Sequence, residues 1–167
     1  MVLEIWVDSD SVPKNLRLIL LRLGLRLNCP TFFVAARSLP DVVSFIKEHT
    51  TQLRKNAKEE GQTDPFILKQ IKSKIKMVVV ESGPNSADDF MVENIGQKAL
   101  CITHDIPLAA RLLKKGAFVI DDRGGTYNKD NIRALLGDRL VNQELRFQGV
   151  FAEQQKTMGQ DNRRAFG

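Results

Sequence analysis

Five short apolar runs punctuate the chain: Leu3–Val7, Thr31–Ala35, Met77–Val80, Leu100–Thr103 and Ala117–Ile120. Each ends in polar or turn-forming residues. Their length and their β-branched or aromatic content suit strands. They lack the strict apolar–polar alternation of a sheet wetted on one face, which argues for parallel strands covered on both. This pattern restricts the chain to few architectures, because the segments between the runs read as helices.

Residues 14–27 are dense in leucine and interspersed with Arg17, Arg22 and Arg26, with Ser11 as the expected N-cap and Pro13 at the first helical position. Residues 86–98 open on Ser86, carry Asp88 and Asp89 in the first turn, and place Phe90, Val92 and Ile95 inward before Gly96. Residues 107–115 run from Pro107 to a stop at Gly116. Strands alternating with helices predict an α/β domain with a mainly parallel sheet. The stretch 47–76 breaks the rhythm. Its first half, polar and holding Gly61, reads as a loop or exposed helix. Its second half, with Ile67, Ile71 and Ile75 spaced i, i+4, i+8, reads as an amphipathic helix. Residues 143–167 are glutamine-rich and weakly patterned, and no internal repeat is present.

At 167 residues the chain is most simply a single domain, residues 1–167. No apolar run approaches a membrane span, and the N-terminus lacks the pattern of a secretory signal, so a cytoplasmic protein without a membrane partner is expected. Cys29 and Cys101 each lie within apolar stretches and do not form a metal-type pair, so both are expected to be buried free thiols. Charge is more informative. Of a net +5, the segment 47–76 carries +4, from eight basic residues against four acidic ones. This basic, insertion-like segment is compatible with a polyanionic partner, although a solvated helical face would read the same way.

Acids recur where the strands end. Asp8 closes the first run and Asp10 follows it; Asp105 comes just after the fourth run; Asp121 and Asp122 follow the fifth; Asp88 and Asp89 begin the helix after the third. In open parallel sheets ligands bind beyond the carboxyl ends of the strands, so these seven side chains could face one edge. Each alone has a structural explanation, as a helix cap, a favourable charge at a helix N-terminus or a turn residue. Together they repel one another unless a cation compensates, and Mg²⁺ or Mn²⁺ is the hard cation that carboxylate oxygens bind. A metal so held can activate water and neutralise a phosphodiester. A second class fits the same opening. "WVDSDSV" also matches the start of haloacid-dehalogenase-like phosphatases, where Asp8 would be the phosphoryl-accepting nucleophile and Asp10 the acid/base, but Lys114 and Lys115 lie too close to Asp121–Asp122 for that family's usual spacing.

The segments "IWVDSDSVP", "SADDFMVENI", "CITHDIPLAARLLKKGA", "DRGGTYNKDNI" and "QDNRRAF" occur in an order that resembles the uncharacterised bacterial YaiI/YqxD family, regarded as PIN-like. The resemblance runs through nearly the whole chain and is most specific at T-x-D-I-P-L-A. It implies a three-layer α/β/α fold and, as in many PIN-like proteins, a Mg²⁺- or Mn²⁺-dependent ribonuclease. The family's acids map to Asp8, Asp10, Asp88, Asp89 and Asp105, and its R-G and following tyrosine to Arg123, Gly124 and Tyr127. The usual opening D-A-D-A-C-P is altered here: Ser9, Ser11 and Val12 replace the alanines and cysteine, which argues against thiol chemistry.

The leading expectation is therefore a divalent-metal-dependent nuclease acting on nucleic acid, RNA before DNA. Asp8, Asp89 and Asp105 are the expected metal ligands, Asp88 is interchangeable with Asp89, and Asp10 completes the shell or orients water. Arg123, Thr103 and Ser9 are candidate phosphate contacts. His104 could assist proton transfer, and Tyr127 and Trp6 could stack on bases, although Trp6 in an apolar strand suits the core better. The rival from another class is a non-catalytic binding module of the same fold that carries nucleic acid or a protein. Assembly with further copies of the chain is left open.

Overall fold

The computed structural model describes residues 3–81 and 83–147. The "QDNRRAF" segment and residues 148–167 of the weakly patterned tail lie outside them. The elements alternate as the apolar runs predict. β1 (Glu4–Asp8), α1 (Lys14–Leu27), β2 (Thr31–Ala35) and α2 (Pro40–Glu59) are followed by the short α3 (Pro65–Gln70) and β3 (Ile75–Val79). Then come α4 (Ser86–Asn94), β4 (Ala99–Ile102), α5 (Ile106–Lys114), β5 (Phe118–Ile120), the two-residue β6 (Thr126–Tyr127) and α6 (Lys129–Phe147). The six strands form one sheet in the order β3-β2-β1-β4-β5-β6. All neighbours are parallel except β6, which returns antiparallel on β5.

Both faces of the sheet are buried, by different helices. Ile5, Val7, Phe33, Ala35 and Ile102 pack with Leu16, Leu20 and Leu21 of α1 and Val42 of α2. The intervening residues Trp6, Val34, Cys101 and Val119 pack with Met91 of α4, Leu108 and Leu112 of α5 and Ile132 of α6. Side chains alternate across a strand, so two helical layers sandwich the sheet, giving the three-layer α/β/α fold. Trp6 is core, stacked on Phe32 at 4.3 Å between ring centroids. Both cysteines are buried and free.

Two local expectations are corrected. Ser11 does not cap α1: Pro13 occupies that position and makes no side-chain cap bond. The amphipathic helix expected around Ile67, Ile71 and Ile75 is only the six-residue α3; Ile71 ends it, and Ile75 is a buried residue of β3. The i, i+4, i+8 isoleucine spacing thus spans a helix, a turn and a strand. The polar first half of the same stretch, read as a loop or exposed helix, is the largely exposed end of the long helix α2. α6 is not among the elements the apolar pattern predicts. Its start is fixed by Asn128, whose Oδ1 accepts from the N–H groups of Asp130 and Asn131.

Candidate functional site

The chain runs outward from β1 to β3 on one side and then restarts at β4 on the other, so β1 and β4 flank the point where strand order reverses. In such sheets a crevice opens there, beyond the carboxyl ends of the strands. Asp8 is the last residue of β1 and Thr103 follows β4 directly. Parity along the two strands turns both toward the layer of α4 and α5. The Thr103 hydroxyl, wholly buried, donates to Asp8 Oδ2 at 2.7 Å and accepts from the Asp105 N–H at 3.0 Å. The two loops are joined again by Ser11, whose hydroxyl donates to the Asp8 carbonyl and accepts from the His104 N–H. Asp10 reaches the other neighbour of β1, accepting at 2.8 Å from the Ala36 N–H just past β2, while remaining exposed.

Asp8 is only 4% exposed, and burial pushes its carboxyl above the ordinary range; hydrogen bonds from Thr103 and Ser11 oppose the shift, while the charges of Asp105 and Asp10 add to it. Asp88, in the first turn of α4, is pushed up to about 6 by burial and then by the charges of Asp8 and Asp105. A helix N-terminus alone would favour its ionised form, so burial and like charge outweigh the dipole here. Asp105 caps α5, with Oδ1 accepting from the Leu108 N–H at 3.1 Å. Three carboxylates from three elements thus lie within one another's field at the crevice. Asp89, beside Asp88, is directed to the helix layer, where its Oδ1 meets Arg111 Nη2 of α5 at 2.7 Å.

A second group lies along the same edge. His104 Nδ1 is 2.7 Å from Asp122 Oδ1, and one ligand atom each from His104, Asp121 and Asp122 fall within 4.8 Å of one another. Among the described residues this is the set of metal-type ligand atoms that converges so closely. Asp121 is held above the usual carboxylate range by burial and by Asp122, opposed by the N–H of Arg123. The "VIDD" run pointed to both acids as strand-end residues. Their convergence with His104 depends on β4 and β5 being neighbours, which the sequence does not display.

The expected phosphate contacts are placed differently from one another. Ser9 is buried, and its hydroxyl donates to the Val7 carbonyl. Thr103 is committed to Asp8 and Asp105. Arg123 is half-buried at the β5–β6 turn, its N–H on Asp121 Oδ1. Tyr127, considered as a ring for stacking on bases, is instead a core residue of β6, 8% exposed. Phe66 of α3, by contrast, is 69% exposed; the spacing that suggested a buried amphipathic face hid it.

This fold and edge define a doubly wound α/β protein whose switch-point edge gathers carboxylates from separate elements. The chain belongs to the uncharacterised bacterial YaiI/YqxD family, whose family model matches residues 62–167. Its relatives include a UPF0178 protein of Trichlorobacter lovleyi, 34% identical over 98% of this chain and 88% of that one. Another, from Psychrobacter cryohalolentis, is 33% identical over 98% of this chain and 94% of its own length. A UPF0178 protein of Treponema denticola is 32% identical over 94% and 82%. Among solved structures, glucose-6-phosphate 1-dehydrogenase from Mycobacterium avium overlaps 71% of this chain and 29% of its own, at TM-score 0.36 and 16% identity, a likeness too slight to carry an argument.

Proposed function

We propose that the protein is a divalent-metal-dependent nuclease that hydrolyses phosphodiesters, those of RNA before DNA, at the carboxyl edge of β1 and β4. One observation carries the reading: Asp88 is pushed up to about 6 by burial and by the charges of Asp8 and Asp105. Carboxylates from three elements gathered at a switch point repel one another, a cost that a bound cation would relieve, and hard oxygen donors fit Mg²⁺ or Mn²⁺. Bound there, the ion would neutralise phosphate charge and lower the pKa of a bound water.

The chain's own groups have distinct parts. Asp8 would supply an oxygen from the end of β1, Asp105 one from the cap of α5, and Asp88 a third from the first turn of α4. Thr103 orients the first two by bonding both at once. Asp10, an exposed residue, keeps the β1 loop in place through its bond from the Ala36 N–H. Asp89, paired with Arg111, tethers α4 to α5 and thereby positions Asp88. Asp121, Asp122 and His104 extend the acidic edge by one strand and offer ligand atoms beside Asp105.

Thermal unfolding with increasing Mn²⁺ tests the ion. The melting temperature should rise at millimolar metal in the wild type and not in the Asp8→Asn/Asp105→Asn variant. Incubation with mixed single-stranded RNA tests the chemistry. Equal cutting by wild type and variant, or cutting by neither, removes the nuclease reading. Turnover of p-nitrophenyl phosphate that is lost in Asp8→Asn would put a phosphatase in its place.

A further inference from the structure

The segment 47–76 holds most of the chain's positive charge, and the fold decides where that charge sits. Strands β1 to β3 are parallel, so the connecting helices run back from their carboxyl ends to their amino ends. α2 starts just after β2 at the acidic edge, and its 20 residues rise about 30 Å. Its second half, α3 and the entry to β3 therefore occupy the opposite pole. Two contacts fix this: Lys74 Nζ reaches the carbonyl of Asn28, where α1 ends, and the Lys74 carbonyl accepts from the Thr31 N–H at the start of β2.

The pole is pinned together. Arg54 of α2 donates to the carbonyls of Ile71 and Lys69, at 3.2 Å each. His49 bonds the Ser73 hydroxyl at 2.8 Å, and Thr50 accepts from the Ser73 N–H. These bonds set α2 against residues 69–73 and leave their lysines outside. Lys47, Lys55, Lys58, Lys69, Lys72 and Lys76 are all exposed. By helical spacing Lys47, Thr51, Arg54 and Lys58 share the stripe toward α3, whereas Glu48, Lys55 and Glu59 share the next, mixed stripe. On α3, Phe66 and Lys69 are three residues apart and share the outer face opposite buried Leu68. A two-thirds-exposed aromatic ring on the same face as exposed Lys69 combines the two elements of single-strand recognition, a stacking surface and phosphate-neutralising cations.

We propose that this basic pole, formed by the second half of α2, α3 and residues 71–76, docks single-stranded RNA at a surface separate from the acidic edge. The inference rests on the nuclease reading and gives that site its substrate class: strands long enough to be held at one pole and reach the other. Net charge of one sign without an aromatic would suit any polyanion; Phe66 favours unpaired bases.

Binding is measured in EDTA, apart from cleavage, by fluorescence anisotropy of a labelled oligouridylate of about 20 nucleotides. The variant Lys55→Gln/Lys58→Gln/Lys69→Gln/Lys72→Gln should bind at least tenfold more weakly. Its dependence of log affinity on log salt should be shallower by up to about 3, at roughly 0.7 per lost phosphate contact on a single strand. Phe66→Ala, which removes an exposed ring, should weaken binding about tenfold without changing the melting temperature. Asp8→Asn/Asp105→Asn and the charge control Lys114→Gln/Lys115→Gln should bind as the wild type does. Wild-type affinity in the quadruple variant overturns the proposal. So does preference for duplex DNA, for an acidic polypeptide such as polyglutamate, or for phosphatidylserine vesicles over the oligouridylate. Loss of cleavage in the acid variant with binding intact supports a separate pole, whereas binding by a wild type that never cuts removes the nuclease reading and leaves the docking result standing.

Discussion

Thr103 has no exposure to solvent, yet its hydroxyl fixes two of the three crevice acids. Thr103→Val keeps the shape of the side chain and removes both bonds, leaving Asp8 buried with one donor fewer. An unmade bond to a buried charged group costs about 1–3 kcal/mol, which denaturant unfolding at neutral pH should register. Mn²⁺ should then stabilise the variant less than the wild type. Asp88 gives the site its pH dependence. Its folded pKa of about 6 lies above the ordinary 3.8, so the folded state favours the protonated form. Stability from this group is full below pH 3.8 and is lost as pH rises through about 6. Asp88→Asn should therefore stabilise the metal-free protein above pH 6 by about 1–2 kcal/mol, allowing for solvent screening of a partly exposed group, and change little at pH 4. Equal melting temperatures of variant and wild type at pH 8 would contradict this. At this scale the sequence was legible in its acids and silent on their partners. The D-x-D spacing marks Asp8 and Asp10, but β1 ends at Asp8 and Asp10 lies in the turn beyond it, so the two reach different neighbours, Thr103 and Ala36.

Among the elements, α1 shows how closely the layers approach. A Cβ on Gly24 would lie 2.7 Å from the hydroxyl oxygen of Thr31, which is itself buried and bonded to the Cys29 carbonyl. In an exposed helix alanine would be favoured over glycine by about 1 kcal/mol. Here Gly24→Ala must push α1 off β2, and thermal unfolding should show a net loss of about 1–3 kcal/mol. α1 is also joined to α2 by Arg17, whose Nε and Nη2 meet the two Asp41 oxygens at 2.9 and 3.1 Å. The bond from Arg17 holds the Asp41 carboxyl below its usual range, so the stability it adds is present above pH 3.8 and lost as pH falls further. Asp41→Asn should cost about 1 kcal/mol at pH 7, with the difference from wild type vanishing in acid. The strands were the most readable elements, because a run buried on both faces needs no partner to be recognised. α3 and α6 were not. Leu68 is the single buried residue of α3, too little for a periodic pattern, and the isoleucines around it serve other elements.

For the molecule as a whole, the alternation of runs and helical patterns implied the parallel α/β sheet, but not the strand order, and that order decides the site. Only with β1 beside β4 do Asp8 and Asp105 share a crevice; only with β4 beside β5 does His104 meet Asp122. The same order sets the charge distribution. Basic residues cluster in sequence between 47 and 76, and the sequence does not say whether they lie beside the acids. The return direction of α2 carries them to the far pole, so one end of the molecule gathers negative charge and the other positive.

The bond between Thr103 and Asp8 joins residues 95 positions apart. A chain that had emerged only as far as β3 would hold Asp8 and Asp10 without Thr103, Asp88 or Asp105. The crevice is therefore a product of late, non-local closure, and its assembly must wait for the second half of the sheet to find the first. Any cation captured there draws on contacts from both halves at once, so it should slow amide exchange in β1 and β4 together rather than in one loop.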